Sequence, residues 1–124
     1  MSVRRATCLL LFLLGAGGCY NDRPREVLII ARGLALTLAS DESARNPRIT
    51  MATGERVRVT LKSEAYGLIH DFQIPEWSVK TDQVRGGEST SVVFIVPPKE
   101  GRVKYISSPH AATVNGVIEV VAKE

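Results

Sequence analysis

The chain holds only two cysteines in 124 residues, Cys8 and Cys19, and both lie near its start. Everything after Cys19 is free of cysteine, which excludes a disulfide framework there and removes the thiolate as nucleophile or metal ligand. Long apolar runs are also missing. The run Leu9 to Leu14 (LLLFLL) is too short to span a bilayer as a stable anchor. No stretch of a dozen residues joins helical periodicity to proper caps, and there is no internal repeat. A clustered excess of positive charge is absent as well. The 16 basic residues face 13 acidic ones, and residues 1–18 hold two of the arginines and no acid, so the remainder balances at 14 (16 − 2) against 13. That excludes a nucleic-acid footprint, which needs a clustered surplus of Lys and Arg. There is no Gly-x-Ser-x-Gly turn to carry a serine nucleophile.

What is present begins with an export pattern. Arg4 and Arg5 precede the apolar run, the small residues Gly15 to Gly18 follow it, and then comes Cys19. This order resembles a bacterial lipoprotein signal, with 1–18 removed and Cys19 as the acylated first residue. Ala16 stands where such signals usually carry leucine; ordinary secretory cleavage is the other reading. Residues 19–25 are polar, contain a proline, and suit a short tether before a domain of 26–124.

That domain reads as all-β. Apolar or alternating runs of strand length fall at 26–31, 34–38, 48–52, 55–62, 68–74, 79–84, 89–96, 103–106 and 116–122. Turn chemistry separates them: Thr53-Gly54, Pro75-Glu76, Gly86-Gly87, and Pro97-Pro98 with Gly101. Seven to nine short strands at this spacing predict a sandwich or barrel. The clearest alternation puts Val57, Val59 and Leu61 toward a core and Arg56, Arg58, Thr60 and Lys62 toward water. That basic row is an ordinary solvated strand face, or a surface for anionic lipid if Cys19 is acylated. Trp77, just past the strand of His70, reads either as an aromatic closing one end of the sandwich or as a docking residue.

The chemistry-bearing stretches are LIHDFQIP at 68–75 and YISSPHAATVNG at 105–116. In order and spacing they resemble the copper-ligand segments of the cupredoxins, Greek-key β-sandwiches that bind one copper. The run through Val79-Lys80-Thr81-Asp82, Gly86-Gly87-Glu88 and VVFIVPPKEGRVKY is similar to the copper domain of cytochrome c oxidase subunit II. The resemblance covers about residues 48–120. It places the only two histidines of the chain, His70 and His110, on the two histidine-ligand positions and Gly116 on the closing glycine. It also places Ser107 on the cysteine position and Val114 on the methionine position.

The resemblance therefore implies copper as cofactor and a damaged ligand set. A blue-copper site uses two imidazoles, one thiolate and a weak axial thioether. A serine hydroxyl is a weak ligand at neutral pH, and valine has no lone pair. His70 and His110, with Ser107 as a poor third donor, are expected to hold Cu(II) weakly, for binding or delivery at the outer side of a membrane, with a redox or copper-handling protein as partner. The alternatives are a metal-free interaction module of a membrane respiratory complex and ordinary electron transfer, which the two substitutions damage most. A hydrolase built from His70, Asp71 and Ser107 or Ser108 is not expected, because neighbouring strand residues point to opposite faces and Asp71 does not orient the His70 ring.

Overall fold

The computed structural model describes residues 23–124. The expected signal segment, Cys19 and most of the tether lie outside the described residues. The strands are β1 (Arg25–Arg32), β2 (Ala35–Leu38), β3 (Ile49–Ala52), β4 (Arg56–Ser63), β5 (Ile69–His70), β6 (Gln73–Ile74), β7 (Val79–Lys80), β8 (Val84–Arg85), β9 (Ser89–Ile95), β10 (Gly101–Ile106) and β11 (Asn115–Val121). They form one four-stranded sheet in the order β2-β1-β4-β9, one five-stranded sheet in the order β3-β11-β10-β6-β7, and a two-stranded ribbon β5-β8. β1 runs parallel to β4 and β3 parallel to β11, while the other pairings are antiparallel.

The two larger sheets enclose one core. Val57, Val59 and Leu61 of β4 are fully buried, as the alternation predicts, and meet Ile49, Met51, Tyr105, Ile118 and Val120 from the other sheet in one cluster. Full burial of each such aliphatic side chain contributes about 1.5–3 kcal/mol.

Eleven strand segments replace the nine expected runs because two runs are interrupted. The run at 68–74 breaks at Asp71-Phe72, and the run at 79–84 breaks after Lys80. The breaks face each other. Thr81 Oγ1 accepts the Phe72 N–H at 3.0 Å, and the Thr81 N–H donates to the Phe72 carbonyl at 3.0 Å. The Asp71 N–H goes to Ser107 Oγ at 3.3 Å. Side-chain oxygens thus take two backbone donors that a ladder would have used, and the chain kinks with its amides satisfied.

Tyr105 fixes how β10 lies on β11. It sits opposite Gly116 in the ladder, is fully buried, stacks on Phe72 with ring centroids 5.4 Å apart, and donates its hydroxyl to the Pro47 carbonyl at 2.6 Å. A Cβ on Gly116 would fall 2.3 Å from the Tyr105 ring. Gly116 is therefore required by the close approach of an aromatic ring. Gly116→Ala is expected to cost about 1–3 kcal/mol, the usual penalty of overpacking, read as a lower urea midpoint at unchanged slope. An unchanged midpoint would mean the ring moves aside freely.

Candidate metal centre

Four short segments meet at one end of the sandwich: the β1–β2 turn at Gly33, strand β5 with the kink after it, the end of β10, and the loop from Ser107 to Val114. The loop is closed on itself by backbone bonds. The Ser107 N–H donates to the Val114 carbonyl at 3.0 Å, and the Thr113 and Val114 N–H groups donate to the His110 carbonyl at 2.9 and 2.8 Å. A single 3-10 turn, Ser108–His110, starts with Pro109 in its first turn, where a missing N–H costs nothing. This turn packs against β5 and brings the His110 ring to 5.2 Å from the His70 ring, centroid to centroid, at a tilt of 54°.

His70 is fully buried, and both of its nitrogens are engaged. Nε2 lies 2.7 Å from the Gly33 carbonyl and Nδ1 lies 2.8 Å from Ser107 Oγ. A carbonyl oxygen only accepts, so Nε2 carries the ring proton and Nδ1 presents its lone pair to the serine hydroxyl, which donates. Ser107, also fully buried, then accepts the Asp71 N–H with the same oxygen. His110 differs. Its Nε2 is buried and has no hydrogen-bond partner, the one buried side-chain nitrogen or oxygen so placed among the described residues.

Asp71 braces this arrangement without touching the His70 ring through any hydrogen bond. Its buried carboxylate accepts from the Ser108 N–H at 2.6 Å, the Ser108 hydroxyl at 2.6 Å and Gln73 Nε2 at 3.0 Å. Three donors to one carboxylate pin the histidine loop to the kink after β5. The expectation that Asp71 does not orient His70 agrees with this, although the Ser107 hydroxyl does reach the ring. With Ser107 and His70 both sealed from solvent, that pair has no face open to a substrate. Sequence reasoning missed Gly33, which acts through a backbone carbonyl and leaves no residue-type signal. It weighed Asp71 only as a partner of His70.

Two imidazole rings and a serine hydroxyl thus lie close together, with the rings 5.2 Å apart and the hydroxyl bonded to His70. Val114 is fully buried and contributes no lone pair. Among the described residues no group of three or more His, Cys, Asp and Glu side chains could hold a metal. The residues present do not fit a trigonal site completed by sulfur, since Ser107 and Val114 supply neither thiolate nor thioether. Trp77 stands apart from this cluster. It lies on the 3-10 turn Pro75–Trp77, packs on Phe94 with centroids 6.0 Å apart, and borders a groove of about 370 Å³ with Pro97, Lys99 and Val103.

No family model matches the chain, and no curated protein matches it by sequence. Solved structures do match. Auracyanin A, a "blue" copper protein from the green thermophilic photosynthetic bacterium Chloroflexus aurantiacus, superposes with a TM-score of 0.62 at 17% identity over 80% of this chain and 100% of that one. Reduced auracyanin from Roseiflexus castenholzii gives 0.61 at 16%, over 77% and 96%. The periplasmic domain of subunit II of the cytochrome oxidase of Bradyrhizobium japonicum gives 0.58 at 16%, over 80% and 85%. The chain has a cupredoxin-like, all-β fold, as the spacing of its motifs implied.

Burial holds His70 below the ordinary imidazole range, and the neighbouring His110 pushes the same way; the bond to Gly33 and the charge of Asp71 oppose this but do not prevail. The folded chain therefore favours neutral His70, while the unfolded chain takes up a proton below about 6.5. Stability contributed by this group is complete above that pH and is lost as pH falls below it toward the folded value. Urea midpoints are expected to decline from pH 6.5 downward before the carboxylates titrate, and His70→Gln is expected to flatten that part of the curve. The same decline in the variant would assign it to other groups.

Proposed function

We propose that the chain is an exported cupredoxin-like protein that holds Cu(II) weakly through His70 and His110, and that it serves in binding or delivering copper. The observation that carries this reading is the pair of facing imidazoles, 5.2 Å apart, one of which keeps a buried nitrogen with no partner. An unpaired buried nitrogen costs roughly 1–3 kcal/mol, and an ion shared with His70 would offset that cost. Copper(II) leads the divalent ions in affinity for imidazole sites. The likeness of fold to auracyanin A, a "blue" copper protein, supports the choice of metal.

Ser107 sets the strength of the site. Its hydroxyl donates to His70 Nδ1, so an ion must displace that hydroxyl from the nitrogen lone pair. With neither a thiolate nor a thioether at hand, the reduced ion lacks soft ligands, and fast reversible electron transfer is disfavoured. A lipid anchor at Cys19 would hold the protein on the outer side of a bacterial membrane, beside a redox or copper-handling partner. The likeness to a periplasmic oxidase domain is in keeping with that setting.

A second reading is favoured by one observation. The chain Ser107–His70–Gly33 satisfies His70 with no ion at all. On that reading the protein is a metal-free interaction module of a membrane respiratory complex, and its polar cluster is purely structural.

Titration of residues 20–124 with Cu(II), followed by calorimetry and electron paramagnetic resonance, separates the two. One-to-one binding with nitrogen hyperfine coupling, lost in both His70→Ala and His110→Ala, is expected. Uptake equal to that of the variants would favour the metal-free module. In a second experiment, Ser107→Cys combined with Val114→Met is expected to turn the protein blue or green with copper, since the residue at 107 points at His70 Nδ1. A colourless product would contradict the assignment of these two positions.

A further inference from the structure

The strand register of the four-stranded sheet assembles a surface that no single strand reveals. On its outer side Arg56 lies beside Ile95, Arg58 beside Val93, Thr60 beside Ser91 and Lys62 beside Ser89. The other neighbour of β4 adds Glu26 next to Arg58 and Leu28 next to Thr60. The same side of β1 carries Arg32, which pairs with Glu42 and Glu64, and Glu26 is bonded to Arg58 at 2.9 Å. Arg56 and Lys62 make no ion pair among the described residues. Between the cations stand Ile95, Leu28 and Val93, exposed by 67%, 42% and 40%. The opposite sheet differs: Arg48 and Arg102 are both drawn to Glu119, at 3.3 and 3.8 Å.

We infer that this outer face lies on an anionic lipid surface. The combination meets both requirements of interfacial binding, apolar side chains to enter the headgroup region and cations to meet its negative charge. Its position suits that role. β1 belongs to this sheet and begins at Arg25, six residues after Cys19, which spans at most about 20 Å of extended chain. A bilayer reached through Cys19 is therefore within reach of this face. The proposal deepens the membrane setting given above and rests on it only for the tether; the cations and apolar side chains stand independently. Each basic residue near an anionic surface contributes a factor of about five, so the unpaired Arg56 and Lys62 together orient the domain, while salt weakens the effect.

Lysine acylation of the full chain on vesicles tests this directly, because Lys62 lies on the face and Lys104 on the outer side of the other sheet. On phosphatidylcholine vesicles containing phosphatidylglycerol, Lys62 is expected to react several-fold more slowly than on phosphatidylcholine alone, with Lys104 unchanged. The protection is expected to disappear in R56Q/R58Q, whose side chains are outside the core. Equal rates at Lys62 on both vesicles would overturn the proposal. Protection of Lys62 without vesicles, growing with protein concentration, would also overturn it and make the face an interface between two copies. Incorporation of labelled palmitate, compared with Cys19→Ser, reads the anchor separately. An anchored chain with unprotected Lys62 defeats only the lipid-facing surface, and a protected Lys62 without acylation defeats only the anchor.

Discussion

The hydrogen bond between the Ser107 hydroxyl and His70 Nδ1, 2.8 Å long and sealed from solvent, decides what this end of the sandwich can do. It fixes the tautomer of His70 together with the Gly33 carbonyl, and it aims the imidazole lone pair at the centre of the cluster. It also sets the serine O–H against that lone pair. In a dry interior such a bond is worth more than at the surface, and so is the cost of leaving its partners unpaired. Any ion taken up at His70 would have to displace that hydroxyl.

Around this bond the fold builds supports that work with or without metal. Asp71 takes three donors and pins the loop to the kink after β5. Thr81 satisfies the backbone at the same kink. Tyr105 uses the space beside Gly116 to lock β10 on β11, whose connection is the loop itself. These contacts hold His110 in place although its ring nitrogen has no partner. Pre-organisation of that kind would lower the cost of holding an ion, because the two imidazoles need not be brought together first.

Much of this was legible in the residues. The alternation Val57, Val59, Leu61 gave the orientation of β4, since a period of two leaves no second solution once one face is apolar. The spacing around His70, His110 and Gly116 implied a copper-protein fold, and the two histidines do meet. The kinks at Asp71 and Thr81 were not legible, because a side-chain oxygen replacing a ladder partner leaves the apolar pattern of the run intact. Gly33 was equally silent, as its contribution is a carbonyl that every residue carries. Asp71 was visible as a neighbour of His70, but its true partner, Ser108, lies 37 positions away and is brought near only by the fold.

The most direct test of the account is nitrogen-15 NMR of the two imidazoles in residues 20–124 while Cu(II) is added below one equivalent. The account predicts a His70 ring protonated at Nε2 before addition, and then joint broadening of the His70 and His110 ring signals ahead of all others. Ring signals that stay sharp while signals elsewhere broaden would contradict it, and would leave the Ser107–His70 bond as a purely structural feature of a cupredoxin-like fold.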